Sequence, residues 1–278
     1  MRVVKTVAEL REVIAAARVG GEKIALVPTM GALHAGHLSL VELAKQHADF
    51  VVVSIFVNPL QFAAGEDFAT YPRNLAADEA KLASAGVDVI FAPSADEVYA
   101  DGREVTKFAG PIGDVLEGAA RPKHFDGVLT VVAKLFDLVT PDVAVFGEKD
   151  AQQLFLIQQL AQRDYPHLQI LAAPTVREAS GLARSSRNAN LSADQHETAL
   201  ALSAALRVAA SVAKSPSATL QAAQTMMAKV PAAKLDYIAL VDADRFEPVT
   251  DGFSGRAILL IAAVVGKTRL IDNLAITF

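Results

Sequence analysis

Ile24-Ala25-Leu26-Val27-Pro28-Thr29-Met30-Gly31-Ala32-Leu33-His34-Ala35-Gly36-His37 reads as a buried strand handing over to a helix, with two histidines three residues apart at the handover. The apolar run Ile24 to Val27 suits a strand covered on both faces, and Pro28, which has no N–H to give a central ladder, is expected to end it. Gly31 and Gly36 permit tight backbone paths beside a ligand. From Gly36 onward, Leu38, Val41, Leu43 and Ala44 mark the packed stripe of a helix, so His34 falls just before its first turn and His37 just inside it. Unpaired N–H groups and the positive end of the helix dipole collect at that point, and neutral imidazoles add donors, which favours a nucleotide's phosphates. Two solvated loop histidines are the competing reading, and the rest of the chain weighs against it.

Working outward, the same alternation repeats. Thr6 is a plausible N-cap for an N-terminal helix with Val7, Leu10, Ile14 and Ala17 on one face, ended by Gly20-Gly21. Strands are predicted at 50–56, 87–91, 143–146 and 168–171, and helices at 75–85, 128–138 and 151–163. Strand and helix in turn imply parallel crossovers and an α/β, doubly wound, mostly parallel sheet, whose ligands sit at the carboxyl ends of the strands. Past Pro174 the pattern changes to a loop rich in Ser, Arg and Asn, helices near 193–213 and 220–229, and strands at 235–241, 257–265 and 268–276. Gly266-Lys267 is a hairpin-length connection, so the last two strands are expected to be antiparallel. These features predict a first domain over 1–175 and a second, smaller α+β domain over 176–278.

Composition narrows the chemistry. With 278 residues the chain can bury a full core, and with no Cys it excludes disulfides, thiolate metal sites and a cysteine nucleophile. A formal net charge of -5 argues against a nucleic-acid partner, which would call for a broad basic surface. The longest apolar run, 257–265, is strand-sized, and the N-terminus reads as a helix and not as a signal peptide, so no membrane partner and a cytoplasmic location are expected.

Four further segments put polar side chains at predicted strand ends or loops. Asn58-Pro59-Leu60-Gln61-Phe62 delivers Asn58 and Gln61, amides that both donate and accept without carrying charge. In Gly147-Glu148-Lys149-Asp150-Ala151-Gln152-Gln153, Gly147 permits a turn, Lys149 can neutralise a phosphoryl oxygen, Asp150 is placed as the N-cap of the next helix, and Gln153 faces the same mouth. Arg184-Ser185-Ser186-Arg187-Asn188 offers two cations and two hydroxyls suited to a leaving pyrophosphate. Arg121-Pro122-Lys123-His124-Phe125-Asp126-Gly127 is a secondary candidate anion contact. Asp78, Asp88 and Asp150 do not have the spacing of a metal cluster.

Through Pro28 to His37, Asn58 to Phe62, Tyr71-Pro72-Arg73, Phe146 to Asp150, Gln152-Gln153-Leu154 and Ser185-Ser186-Arg187-Asn188, the chain resembles the pantoate–β-alanine ligase (pantothenate synthetase) family over nearly its full length. The His-x-Gly-His pattern by itself is shared with wider nucleotidyltransferases and class I tRNA synthetases; the combination is far more specific. The resemblance implies a Rossmann-like first domain binding ATP and pantoate, a C-terminal lid domain, and a homodimer in the coenzyme A pathway. It implies ATP contacts at Pro28, Thr29, Met30, Gly31, Ala32, Leu33, His34, Ala35, Gly36 and His37, at Gly147, Glu148, Lys149 and Asp150, and at Val176, Arg184, Ser185, Ser186 and Arg187. Gln61 and Gln153 would hold pantoate, with Gln61 also at the β-alanine position. His37, with His34, Lys149 and Arg187, would carry the catalysis, His37 as general acid. Mg²⁺ would travel with ATP, without a protein-built metal site. Ala151 and Arg184 depart from the family's usual residues, an aromatic and Met or Leu.

The implied reaction joins pantoate to β-alanine through pantoyl adenylate, with release of pyrophosphate and AMP. An adenylyltransferase acting on another acceptor, or a non-catalytic nucleotide-binding module, would share the histidine turn; a tRNA synthetase would want a basic appendage that the acidic chain lacks.

Overall fold

Each predicted strand–helix repeat forms, and the computed structural model describes residues 1–63, 65–66 and 68–278. In chain order the elements are β1 (Arg2–Val4), α1 (Val7–Val19), β2 (Ile24–Thr29), α2 (Ala35–His47), β3 (Phe50–Ile55), α3 (Leu75–Ser84), β4 (Val89–Phe91), α4 (Ala95–Val98), α5 (Glu117–Ala120), α6 (His124–Val139), β5 (Val143–Gly147), α7 (Ala151–Asp164) and β6 (Gln169–Ala173). They are followed by α8 (Ala193–Ser211), α9 (Pro216–Ala228), β7 (Ala233–Asp242), β8 (Arg256–Val265) and β9 (Thr268–Thr277). The chain divides into two compact units, Met1–Glu148 with Gln152–Pro174, and Lys149–Ala151 with Thr175–Phe278.

The first unit is built on a six-stranded sheet in the order β1-β4-β3-β2-β5-β6, and every recorded pairing is parallel. Its central strands are apolar on both faces because both are covered. Ala25 and Val27 pack with Leu40, Val41 and Ala44 of α2 and Leu82 of α3. Ile24 and Leu26 are equally buried and alternate to the other face, where α6 packs on β2 and α1 on α6. Burying each of these Leu or Ile side chains contributes about 1.5–3 kcal/mol. The short β1, which the periodicity of the N-terminus did not announce, pairs with β4 at the sheet edge.

Pro28 does not end its strand. β2 continues to Thr29 and stays in register with β3 through Pro28↔Ser54 and Thr29↔Ile55, whereas its pairing with β5 is confined to Ala25 and Leu26. By Pro28 the strand is therefore bonded on one side only, the setting in which a missing N–H is tolerated. The chain steps outward from β2 through β3 to β4, then returns to the other side of β2 for β5. That reversal leaves a crevice beyond the carboxyl ends of β2 and β5, where doubly wound sheets bind ligands.

The second unit packs α8 and α9 on the antiparallel sheet β7-β8-β9, around Leu202, Leu206, Met227, Leu259 and Ile261. The Gly266-Lys267 connection closes the β8–β9 hairpin, with Gly266 at φ +62°. Among the described residues no helix is long and apolar enough to cross a membrane.

Candidate active site

The turn after β2 is tied down from within. Thr29 Oγ1 donates to the carbonyl of Ser54 at 2.7 Å and accepts from the N–H of Gly31 at 3.2 Å. Gly31 (φ +82°) and Ala32 (φ +52°) then turn the chain through left-handed backbone, which costs the alanine more than the glycine. Asp78 of α3 offsets that cost: it is only 2% exposed, and its two carboxylate oxygens accept the N–H groups of Ala32 at 2.9 Å and Leu33 at 2.8 Å. Lys81, one turn later, donates to the carbonyl of Leu33 at 2.6 Å.

This turn delivers His34 as the N-cap of α2. Its Nδ1 accepts from the N–H of Gly36 at 3.1 Å, while Nδ1 of His37 reaches back to accept from the N–H of His34 at 3.2 Å. Two histidines thus form a capping box, with ring centroids 4.1 Å apart. Gly36 is required here, since a Cβ on it would lie 2.9 Å from the His34 ring. The sequence reading expected unpaired backbone N–H groups at this helix mouth; the imidazoles occupy two of them instead. Because each Nδ1 accepts a proton donor, each neutral ring carries its own hydrogen on Nε2.

The amides after β3 are equally constrained. Asn58, 1% exposed, caps the 3-10 turn Pro59–Gln61, its Oδ1 accepting from the N–H of Leu60 at 3.2 Å. Its Nδ2 donates to the carbonyl of Gly127 and to Oε1 of Gln61, each at 3.1 Å. Gln61 is 8% exposed and directs its own Nε2 to Sδ of Met30 at 3.2 Å, so the structure brings together this amide and the turn after β2. Helix α6 packs directly on the 3-10 turn: a Cβ on Gly127 would meet the carbonyl oxygen of Leu60 at 2.2 Å.

In the basic segment 121–127, two of the three candidate groups, Arg121 and His124, are taken up by partners within the protein. Arg121 is engaged by both oxygens of Glu66 at 2.8 Å, and its Nη1 lies 2.8 Å from Nε2 of His124, whose Nδ1 lies 2.8 Å from the carbonyl of Gln61. The imidazole therefore donates to Gln61 through Nδ1 and accepts from Arg121 through Nε2. Burial, reinforced by the Arg121 charge, pushes the His124 pKa down from 6.5 to about 4. Between those values the unfolded chain binds a proton that the folded chain refuses, so stability falls as pH drops below 6.5. The Arg121 hydrogen bond holds the Glu66 carboxyl below its ordinary range, which also removes stability on acidification. Urea unfolding at pH 7.5 and pH 5 should differ by about 2 kcal/mol through His124. His124→Gln should flatten that dependence; an unchanged pH slope in the variant would refute the assignment.

At the end of β5, Gly147 is followed by the 3-10 turn Glu148–Asp150, which runs straight into α7. Asp150 closes that turn and stands directly before Ala151, the first residue of α7, at the position expected from sequence; its Oδ1 lies 3.5 Å from Nζ of Lys149. Gln152, expected only to accompany Gln153, is 3% exposed and holds residues 112–117, donating to the carbonyls of Ile112 and Val115 and accepting from the N–H of Glu117. Gln153 is half-buried on α7.

In the second unit, the carbonyl of Lys149 accepts from Nδ2 of Asn273 at 2.9 Å. The neighbouring Asp272, its side chain 2% exposed, receives both terminal nitrogens of Arg177 at 2.6 and 2.9 Å. Val176 and Arg184 meet through the Arg184 N–H, which donates to the carbonyl of Val176 at 2.9 Å. Ser185 caps the turn Ser186–Asn190, its Oγ accepting from the Arg187 N–H at 3.3 Å, and Asn188 Nδ2 ties that turn to Glu178 at 3.0 Å. The unusual Ala151 is buried, at 7% exposure.

Asp78 and Tyr99 were not singled out as site residues from sequence, and His124 only as part of the basic segment 121–127. For Asp78 a signal existed: it sits with Leu75 and Leu82 at the i, i+3, i+7 positions of one helical face, where a carboxylate must have partners.

Comparison with known proteins places the chain among them by sequence and by overall fold. Residues 2–275 match the family model described as pantoate-beta-alanine ligase. The pantothenate synthetase of Sphingopyxis alaskensis is 49% identical, over 99% of this chain and all of that one, and that of Thermobifida fusca 51% identical, over 92% and 90%. A crystal structure of pantothenate synthetase from Thermus thermophilus superposes with a TM-score of 0.92 at 45% identity, covering 99% of each chain. A pantoate-beta-alanine ligase from Francisella tularensis, crystallised with beta-gamma ATP and beta-alanine, gives a TM-score of 0.80 at 38% identity over 99% of this chain and 97% of that one. Matched nearly end to end in sequence and in fold, the chain belongs to the pantoate–β-alanine ligase family.

Proposed function

We propose that this protein is an AMP-forming ligase that condenses (R)-pantoate with β-alanine at the expense of ATP. The observation that carries the reading is the reciprocal histidine cap at the topological switch of the parallel sheet, with the Gln61 amide turned toward the same loop. A carboxylate oxygen of pantoate attacks the α-phosphorus of ATP, and pyrophosphate departs with the electron pair of the broken P–O bond. The amine of β-alanine then attacks the acyl carbon of pantoyl adenylate, loses a proton, and expels AMP. Neither step needs a protein nucleophile; the chain must position reactants and neutralise phosphoryl charge.

In this reading Pro28 to His37, Gly147 to Asp150, Val176 and Arg184 to Arg187 contact ATP, and Gln61 and Gln153 hold pantoate. The capping box supports a specific part for His34 and His37, that of neutral Nε2–H donors to phosphate oxygens. Lys149 and Arg187 supply positive charge where the pyrophosphate leaves. Mg²⁺ arrives with the nucleotide: Asp78 and Asp88 already accept backbone N–H groups, and Asp150 lies beside Lys149, so these carboxylates form no cage for it. A homodimer and a cytoplasmic setting complete the reading.

An AMP-release assay tests it. Turnover should require pantoate and β-alanine together, and oxygen-18 placed in the pantoate carboxylate should appear in AMP. AMP without label would sink the adenylate route, and ATP binding without AMP production would point to a non-catalytic nucleotide module.

A further inference from the structure

Tyr99 lies just past α4, far along the chain from every segment assigned above. Its ring is 4% exposed and packs 6.1 Å, centroid to centroid, from Phe56 at the end of β3. Its phenol oxygen sits 2.6 Å from Oδ1 of Asn58. The direction of that bond follows from the other contacts of Asn58. One end of the amide faces the N–H of Leu60 and must be the oxygen; the other faces the carbonyl of Gly127 and must be the nitrogen. Tyr99 therefore donates, and burial, which raises the phenol's pKa, keeps the proton on it.

The polarity propagates. With its nitrogen toward Gly127, Asn58 has a second N–H for Oε1 of Gln61, and this fixes the Gln61 amide with its oxygen inward and its NH₂ toward Met30. The backbone of Gln61 is pinned independently by His124. Gln61 is thus held at its carbonyl by His124 and Arg121 and oriented at its side chain by Asn58. A glutamine free to flip would offer a substrate either an acceptor or a donor; this one offers a donor.

We propose that Tyr99 is a positioning residue for pantoate: as a second donor to Asn58 Oδ1, beside the Leu60 N–H, it locks the Asn58 amide in the orientation that turns the Gln61 NH₂ toward an oxygen acceptor of the substrate. The proposal rests on the reading of Gln61 as a pantoate contact, and the test separates the two.

Tyr99→Phe keeps the ring against Phe56 and removes only the hydroxyl. It should raise the KM for pantoate about five- to tenfold, the loss of one buried hydrogen bond's ordering effect, with kcat and the KM values for ATP and β-alanine within about twofold. A purely structural tyrosine would instead lower the melting temperature and shift all three KM values together, or none. Gln61→Ala serves as the reference. If it raises the pantoate KM while Tyr99→Phe does not, the relay is wrong; if it leaves the pantoate KM unchanged, the reading of Gln61 itself fails. In the double variant Tyr99→Phe should add nothing to Gln61→Ala, and additive effects would overturn action through Gln61.

Discussion

Replacing Lys149 with alanine is expected to slow adenylate formation by about 10²- to 10³-fold, the range found when one preorganised charge-stabilising donor is removed from a transition state. The melting temperature should stay within about 2 °C of the parent, because what the fold uses is the Lys149 backbone: its carbonyl accepts from Asn273, and alanine retains that carbonyl. The side chain, about one-fifth exposed, has Asp150 as its ion-pair neighbour at 3.5 Å, a contact whose loss costs under about 1 kcal/mol. Rapid-quench measurement of AMP and pyrophosphate, paired with a calorimetric melt, checks both halves. Lys149→Arg keeps the charge while changing its geometry and should recover part of the rate, whereas Lys149→Met keeps only the stem and should not. Parent-like turnover in Lys149→Ala would remove the residue from the mechanism.

The contrast between Lys149 and the loop after β2 explains what could be read from sequence. The strand, the tight turn and the start of α2 were legible because each is local: an apolar run, two glycines and a helical stripe within twenty-one residues. The reciprocal cap was also within reach, since His34 and His37 are three apart, but only in the folded turn does each ring direct its Nδ1 inward. Pro28 was misjudged because the rule against proline in a central strand depends on how far each neighbour extends, and pairing with β5 stops at Leu26. Asp150 stands directly before α7 as its place in the sequence implied, but the 3-10 turn that it closes left no signal in the spacing. Arg121 looked like a cation for an anion until the chain brought Glu66 and His124 to it. What sequence could not supply was the set of residues that hold the chemical ones still. Tyr99 is 41 positions from Asn58, His124 is 63 from Gln61, and Asp78 is 45 from Leu33. Such pairs leave no periodic trace; they exist because β2, β3 and β4 lie side by side with α3 and α6 packed against them.

Asp78 is where that support has the largest consequence, and Asp78→Asn should damage stability and catalysis together. The substitution preserves volume but turns one of two acceptors into an NH₂ group aimed at a backbone N–H, leaving two donors face to face in a site 2% exposed. A buried donor without an acceptor costs about 1–3 kcal/mol, which for a chain of this size lowers the melting temperature by roughly 2–5 °C. The strain has an obvious outlet: Ala32, at φ +52°, adopts left-handed backbone that the carboxylate compensates, and it will relax once an N–H bond is lost. Relaxation there moves His34, two residues on, off the mouth of α2. A displacement of about 1 Å in a positioning group can cost on the order of 10²-fold in rate, so kcat/KM for ATP should fall by about that factor. Lys149→Ala thus predicts lost chemistry in an intact fold, and Asp78→Asn a loosened fold with lost nucleotide recognition. Calorimetry and ATP titration on the two variants side by side separate these outcomes. Normal melting and a normal ATP response in Asp78→Asn would mean that the turn holds its shape without the carboxylate, and that the histidine cap alone sets the site.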